Sequence, residues 1–145
     1  MFVLDTNVVS ELRKVGFGKG DTRVAKWADS VEAVSLYVSA ITILELEIGV
    51  LQMEGRDAGQ GAMLRAWMDN HVLPEFAERV LPIDTAVARR CARLHVPDRR
   101  SERDALIAAT ALVHGMTIVT RNLADFEPTG VRVINPWDGV GAVSD

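Results

Sequence analysis

Cysteine is almost missing from this sequence. The 145 residues hold one, Cys91, so no intramolecular disulfide can form and a reducing compartment, the cytoplasm, is expected. Its neighbours Ala88, Ala92 and Leu94 mark it as small apolar packing on a helix rather than a reactive thiol. Long apolar runs are missing too: nothing approaches the ~20 residues of a membrane span. Asp5 and Glu11 interrupt the apolar start, so neither a signal peptide nor a membrane partner is expected. Positive charge is scarce, with 16 Lys and Arg against 20 Asp and Glu and a net charge of −4. Affinity for phosphate backbones rests on accumulated Lys and Arg, so a nucleic-acid substrate would have to be engaged locally and with the help of cations. The three histidines, His71, His95 and His114, fall near expected helix ends and lack zinc-ligand spacing. Gly16-Phe-Gly-Lys-Gly20 does not complete a GxxxxGK[ST] loop and joins no strand to a helix, so it reads as a flexible connector.

What remains is a globular composition, 48% hydrophobic and 25% charged. Length predicts one domain over residues 1–138, with 139–145 a small polar tail expected to fray. No repeat or low-complexity segment divides it. Phe2–Asp5 reads as a short buried strand, followed by a helix bearing Val8, Val9 and Leu12. A short helix over 23–30, a β-rich run Val34–Val38 and a long helix from about Thr42 to Met53 come next. A helix over 60–71, a strand entrance at 80–83 and a helix over 85–95 follow. The spacing then predicts a helix over 102–114, stopped by Gly115. Met116–Thr120 is apolar enough to be a strand buried on both faces, and Val131–Ile134 reads as the last strand. Alternating strands and helices imply an α/β domain with a central, mostly parallel sheet flanked by helices.

Polar residues recur at one kind of boundary. Asp5 ends the first strand, Glu45 is expected in the first turn after the second, Asp104 lies in the first turn of the 102–114 helix, and Asn122 follows the strand at 116–120. In an open parallel sheet, groups at the carboxyl ends of the strands converge where ligands bind. Each has a plain structural reading as well. Thr42–Glu45 and Ser101–Asp104 have the shape of capping boxes, Asp5 could cap the helix after it, and Asn122–Asp125 looks like a cap with its partner. Three converging carboxylates repel one another, however, at a cost that caps worth ~1 kcal/mol do not justify. A divalent cation removes that repulsion, and oxygen ligands with water are what Mg2+ prefers.

These blocks resemble a known family. Phe2-Val-Leu-Asp-Thr-Asn-Val-Val-Ser-Glu11, Ser39-Ala-Ile-Thr-Ile-Leu-Glu45-Leu-Glu-Ile-Gly49, Arg103-Asp104-Ala-Leu-Ile-Ala-Ala-Thr-Ala111 and Ile118-Val-Thr-Arg-Asn-Leu-Ala-Asp-Phe126 resemble PIN-domain proteins. Val133-Ile-Asn-Pro-Trp137 further resembles the FitB-like branch of the VapC toxins. The resemblance runs from residue 1 to about 138. It implies a PIN-like three-layer sandwich and the toxin of a type II toxin–antitoxin pair, a ribonuclease dependent on Mg2+ or Mn2+. By position, Asp5, Glu45 and Asp104 fall on the family's metal-site acids and Thr6 on its orienting hydroxyl. The fourth acidic position falls on Asn122, an amide here, with Asp125 assigned a supporting role. The resemblance implies that metal-activated water cuts RNA to 5′-phosphate and 3′-hydroxyl ends. It further implies a homodimer and a VapB-type antitoxin, through which alone DNA would be contacted.

Arg100, Arg103 and Arg121 stand beside these positions as candidate RNA-phosphate contacts, each with a reading as ordinary solvated charge. Trp27 and Trp67 read as core or dimer contacts and Trp137 as packing for the terminus. Two other functions compete. A haloacid-dehalogenase-type phosphatase needs a second Asp two residues after the first, where Asn7 stands. A catalytically inactive PIN-fold interaction module is compatible with the amide at Asn122.

Overall fold

Period-two alternation in strands only a few residues long sorts the side chains into two cores. In β1 (Phe2–Leu4) Val3 and Leu4 are fully buried on opposite faces; in β4 (Thr117–Val119) Ile118 and Val119 do the same. The computed structural model describes residues 1–139 and 143–144. Its sheet has the order β3-β2-β1-β4-β5-β6, where β2 is Leu36–Ser39, β3 Val80–Leu81, β5 Val133–Ile134 and β6 Val143–Ser144. The first five strands pair in parallel and β6 joins β5 antiparallel. Buried parallel strands need helical cover on both faces, and receive it.

One face carries the helices α1 (Thr6–Gly16), α2 (Thr22–Asp29), α3 (Ala40–Arg56) and α4 (Ala58–Trp67). Leu4 and Val119 meet Val8, Val24, Trp27, Leu46 and Val50 there. A π turn over Met68–Val72 continues α4 where the sequence predicted unbroken helix to about His71, and α5 (Leu73–Glu75) follows. The other face carries α7 (Glu102–His114) and α8 (Leu123–Phe126), whose Ile107, Ala108, Ala111 and Phe126 pack on Val3, Ile118 and Val133. Outside α7 lies α6 (Thr85–Leu94), joined through Val87 and Cys91 to Ala105 and Ala109. The arrangement is the three-layer α/β sandwich expected.

Differences from expectation are local. Ala33–Ser35 form a 3-10 turn rather than strand, and α3 extends beyond both expected ends. Of the tail expected to fray, Val143–Ser144 pair with β5, while 140–142 and 145 lie outside the described residues. Cys91 and Trp27 are buried, Trp27 edge-on to Phe2, and Trp137 packs into the same core. Among the described residues, no helix is long and apolar enough to cross a membrane.

Candidate active site

Parallel pairing aligns Leu4 with Val119, which sets the next residues of the two strands, Asp5 and Thr120, side by side. Asp5 is buried and caps α1, its Oδ1 accepting from the Thr6 N–H at 2.8 Å. Its Oδ2 accepts from the Thr120 hydroxyl at 2.8 Å and from Asn7 Nδ2 at 3.3 Å. Burial pushes this carboxyl above its ordinary pKa, the Thr120 and Thr6 donors oppose the shift, and nearby Glu45 and Asp125 add to it. Thr120 is a site residue that the sequence reading missed. Finding it requires knowing that β4 lies beside β1.

Glu45 is not a capping residue. The cap of α3 is Ser39, whose hydroxyl accepts from the Ile41 N–H at 3.0 Å, so Glu45 is six residues into the helix rather than in its first turn. Thr42, the expected cap, is instead buried with its hydroxyl unpartnered among the described residues. Freed from the backbone, Glu45 accepts from the Thr6 hydroxyl at 2.6 Å and faces Arg103 at 3.7 Å. The carboxylate that the Thr6 hydroxyl holds is thus Glu45, while the Thr6 backbone N–H goes to Asp5.

Asp104 does stand in the first turn of α7, but the capping box is not made there either. The Ser101 side chain caps no backbone N–H and hydrogen-bonds the Asp104 carboxyl. Burial raises Asp104 to about 6, and Asp5, Asp125 and Glu45 push in the same direction. Asn122 makes no side-chain cap; its backbone N–H donates to the Thr120 hydroxyl at 3.0 Å. The charged neighbour at this corner is Asp125, which acts on both Asp5 and Asp104.

Asp104 separates two openings. A cavity of about 680 Å³ takes in Glu45, Arg103 and Asp104, and one of about 240 Å³ takes in Arg99, Asp104 and Asp125. The three arginines singled out from sequence differ in what they touch. Arg100 donates to the carbonyls of Leu94 and Pro128 at 2.9 and 3.5 Å, which ties down the loop before α7. Arg121 lies over the Trp137 ring at 5.2 Å. Arg103 is half exposed at the rim of the larger cavity.

The donor chemistry suits a hard divalent cation: oxygen ligands alone, mutually repelling, with Arg103 at the edge as the one cation paired to any of them among the described residues. No cage is preformed, since no three Asp, Glu, His or Cys side chains among the described residues close on a metal-sized point. Mg2+ uses few protein carboxylates and keeps several waters, so an open set of this kind fits it.

Comparison with known proteins places this arrangement. Residues 2–127 match the PIN domain family. The VapC ribonuclease Y4jK of Sinorhizobium fredii is 38% identical over 143 residues, covering 95% of this chain and 99% of the relative. Toxin FitB of Neisseria gonorrhoeae is 38% identical over 144 residues, covering 94% and 99%. The crystal structure of FitAcB from the same organism superposes with a TM-score of 0.85 at 35% identity, over 94% of this chain and 99% of that one.

Proposed function

The chain belongs to the PIN-domain family, and from that premise we propose that it is the toxin of a toxin–antitoxin pair, acting as a Mg2+-dependent endoribonuclease for which Mn2+ can substitute. The observation that carries this reading is the gathering of Asp5, Glu45, Asp104 and Asp125, where burial raises the pKa of Asp5 and Asp104 and the neighbouring carboxylates add to the shift. Relatives over nearly the full length named as a VapC ribonuclease and a toxin support it.

Asp5 and Asp104 would hold the cation, and Glu45 would complete the set or hold the attacking water. When bound, the cation polarises a phosphoryl oxygen and lowers the pKa of water. The protein supplies the rest. Thr120, Thr6 and Asn7 fix both oxygens of Asp5, so its orientation is set before any ligand arrives. The Thr6 hydroxyl holds Oε1 of Glu45 and leaves Oε2 toward the cavity rim. Asp104, raised to about 6 by burial and its carboxylate neighbours, is still mostly ionised at neutral pH and so available to a cation. Asp125 keeps the pocket negative, which favours cation over bare phosphate.

Solved neighbours include FitAB bound to an IR36 DNA fragment, with a TM-score of 0.84 at 36% identity. On that basis we extend to this chain an antitoxin partner of the FitA or VapB kind and contact with DNA through that partner; the homodimer is carried over from the family resemblance alone. The test is direct. Purified protein with Mg2+ should cut RNA to 5′-phosphate ends, excess EDTA should stop it, and induced expression should arrest growth. Full cleavage in EDTA overturns the metal; absence of both cleavage and arrest overturns the nuclease.

A further inference from the structure

Charge is unevenly spread along this acidic chain. Residues 85–103 hold six arginines (Arg89, Arg90, Arg93, Arg99, Arg100 and Arg103) against Asp98 and Glu102, a local +4 in a molecule of net charge −4. Several basic side chains elsewhere are paired: Arg23 with Asp21, Arg79 with Glu75, and Arg65 with Glu47, Glu54 and Asp69. On α6 they are not. Val87 and Cys91 turn its apolar side to α7, leaving Arg89, Arg90 and Arg93 around a shallow cavity of about 220 Å³ closed by Ala86 and Val113. Among the described residues none of the three has an ion-pair, hydrogen-bond or ring partner. Arg89 and Arg93, one helical turn apart, repel each other, and no acid lies within α6 to offset it.

The chain that leaves α6 also reaches the site. The loop after α6 carries Arg99 into the cavity shared with Asp104 and Asp125, and Arg103 sits over Glu45. We propose that the outer face of α6 is a tracking surface for the phosphate backbone of single-stranded RNA, with Arg89, Arg90 and Arg93 neutralising phosphates outside the catalytic pocket. The inference rests on the nuclease reading and deepens it. It also meets the difficulty raised by the net charge: a pocket of carboxylates repels RNA, so strand affinity has to come from a separate surface. An acidic protein segment would match the charge as well, and wild-type RNA binding in a variant stripped of these arginines would favour it.

The test combines Arg89→Gln, Arg90→Gln and Arg93→Gln in the full chain, with the triple Lys variant as the charge-keeping control. Binding of a long fluorescent single-stranded RNA is followed by anisotropy in EDTA across a salt series. Each neutralised phosphate contributes ~0.7 to the slope of log affinity against log salt, so the Gln variant should lose about 2 from that slope and at least about tenfold in affinity at moderate salt. The Lys variant should restore both. With Mg2+, cleavage of the long RNA should fall while cleavage of a dinucleotide, whose single phosphodiester sits in the pocket, stays at the wild-type rate. An unchanged slope with wild-type cleavage of both substrates overturns this surface and leaves the nuclease standing. A change of oligomeric state in the Gln variant overturns it in favour of an interface between copies. Failure of the wild-type protein to cut either substrate overturns the nuclease reading and this inference with it.

Discussion

Helix α3 points acidic residues at two quite different places. Glu47 and Glu54, with Asp69 from the π turn, surround the Arg65 guanidinium, and the close pairs measure 2.6 and 3.1 Å. There the arginine holds Glu47 below its ordinary pKa. Two residues before Glu47, Glu45 joins Asp5, Asp104 and Asp125, and the buried Asp5 and half-buried Asp104 are pushed upward. One cluster is a finished electrostatic unit that staples α3 to α4. The other is unfinished, because its four acids share only the half-exposed Arg103 at the rim among the described residues. The pKa shifts of the two clusters run in opposite directions, downward where a guanidinium pairs the carboxylates and upward where burial and like charge act together.

The most damaging way to break that contrast is Asp5→Asn. Cleavage should fall more than about 10²-fold, since outer partners of metal ligands alone cost 10–100-fold, while the melting temperature stays near wild type because Asn also caps helices. Thr120→Val removes a donor to Asp5 without touching charge, and should weaken Mg2+ activation about tenfold with little effect at saturating metal. Titration of activity against Mg2+ distinguishes the two variants. On the other side, Arg65→Met should leave kcat unchanged but lower the melting temperature by about 2–4 °C, the modest effect expected of an exposed network. Loss of activity in that variant would mean the two clusters are coupled along α3.

The smallest effect is in the pH dependence, where the clusters should have opposite slopes. Asp104 has a folded pKa of about 6, above its ordinary value of 3.8, so the metal-free protein binds extra proton on folding. That stability is complete below the unfolded value and lost as pH rises through about 6. In EDTA the melting temperature should therefore drop by about 2 °C across that window, and Asp104→Asn should flatten the drop. Glu47 behaves conversely: its contribution is present at neutral pH and lost on acidification.

Much of this is legible in the sequence. Strand-to-helix junctions can be read from apolar runs, so Asp5 and Asp104 are visible as boundary acids and the parallel sheet follows from the alternation. Glu45 is visible as an acid but not in its role, because Thr42–Glu45 imitates a capping box while Ser39 makes the actual cap. Asp125 is obscured in the same way by Asn122, whose side chain turns out not to cap α8. Thr120 has no local signal at all, since its partner is 115 residues away and only the pairing of β4 with β1 brings them together. Arg100 reads as free charge in sequence, yet its guanidinium reaches the Leu94 and Pro128 carbonyls. Local patterns show which residues are available. Long-range pairing decides what they touch.

Asp5 serves two masters, as the cap that starts α1 and as the buried acid of the pocket. Aspartate and asparagine codons differ by one base at the first position, and asparagine is as good a helix cap. A single transition in the gene can thus remove the charge while leaving the fold, and any surface that a partner recognises, in place. If the chain arrests growth as proposed, such alleles should be frequent among escaped cells, and they would accumulate as silent, well-folded copies that still occupy the proposed antitoxin.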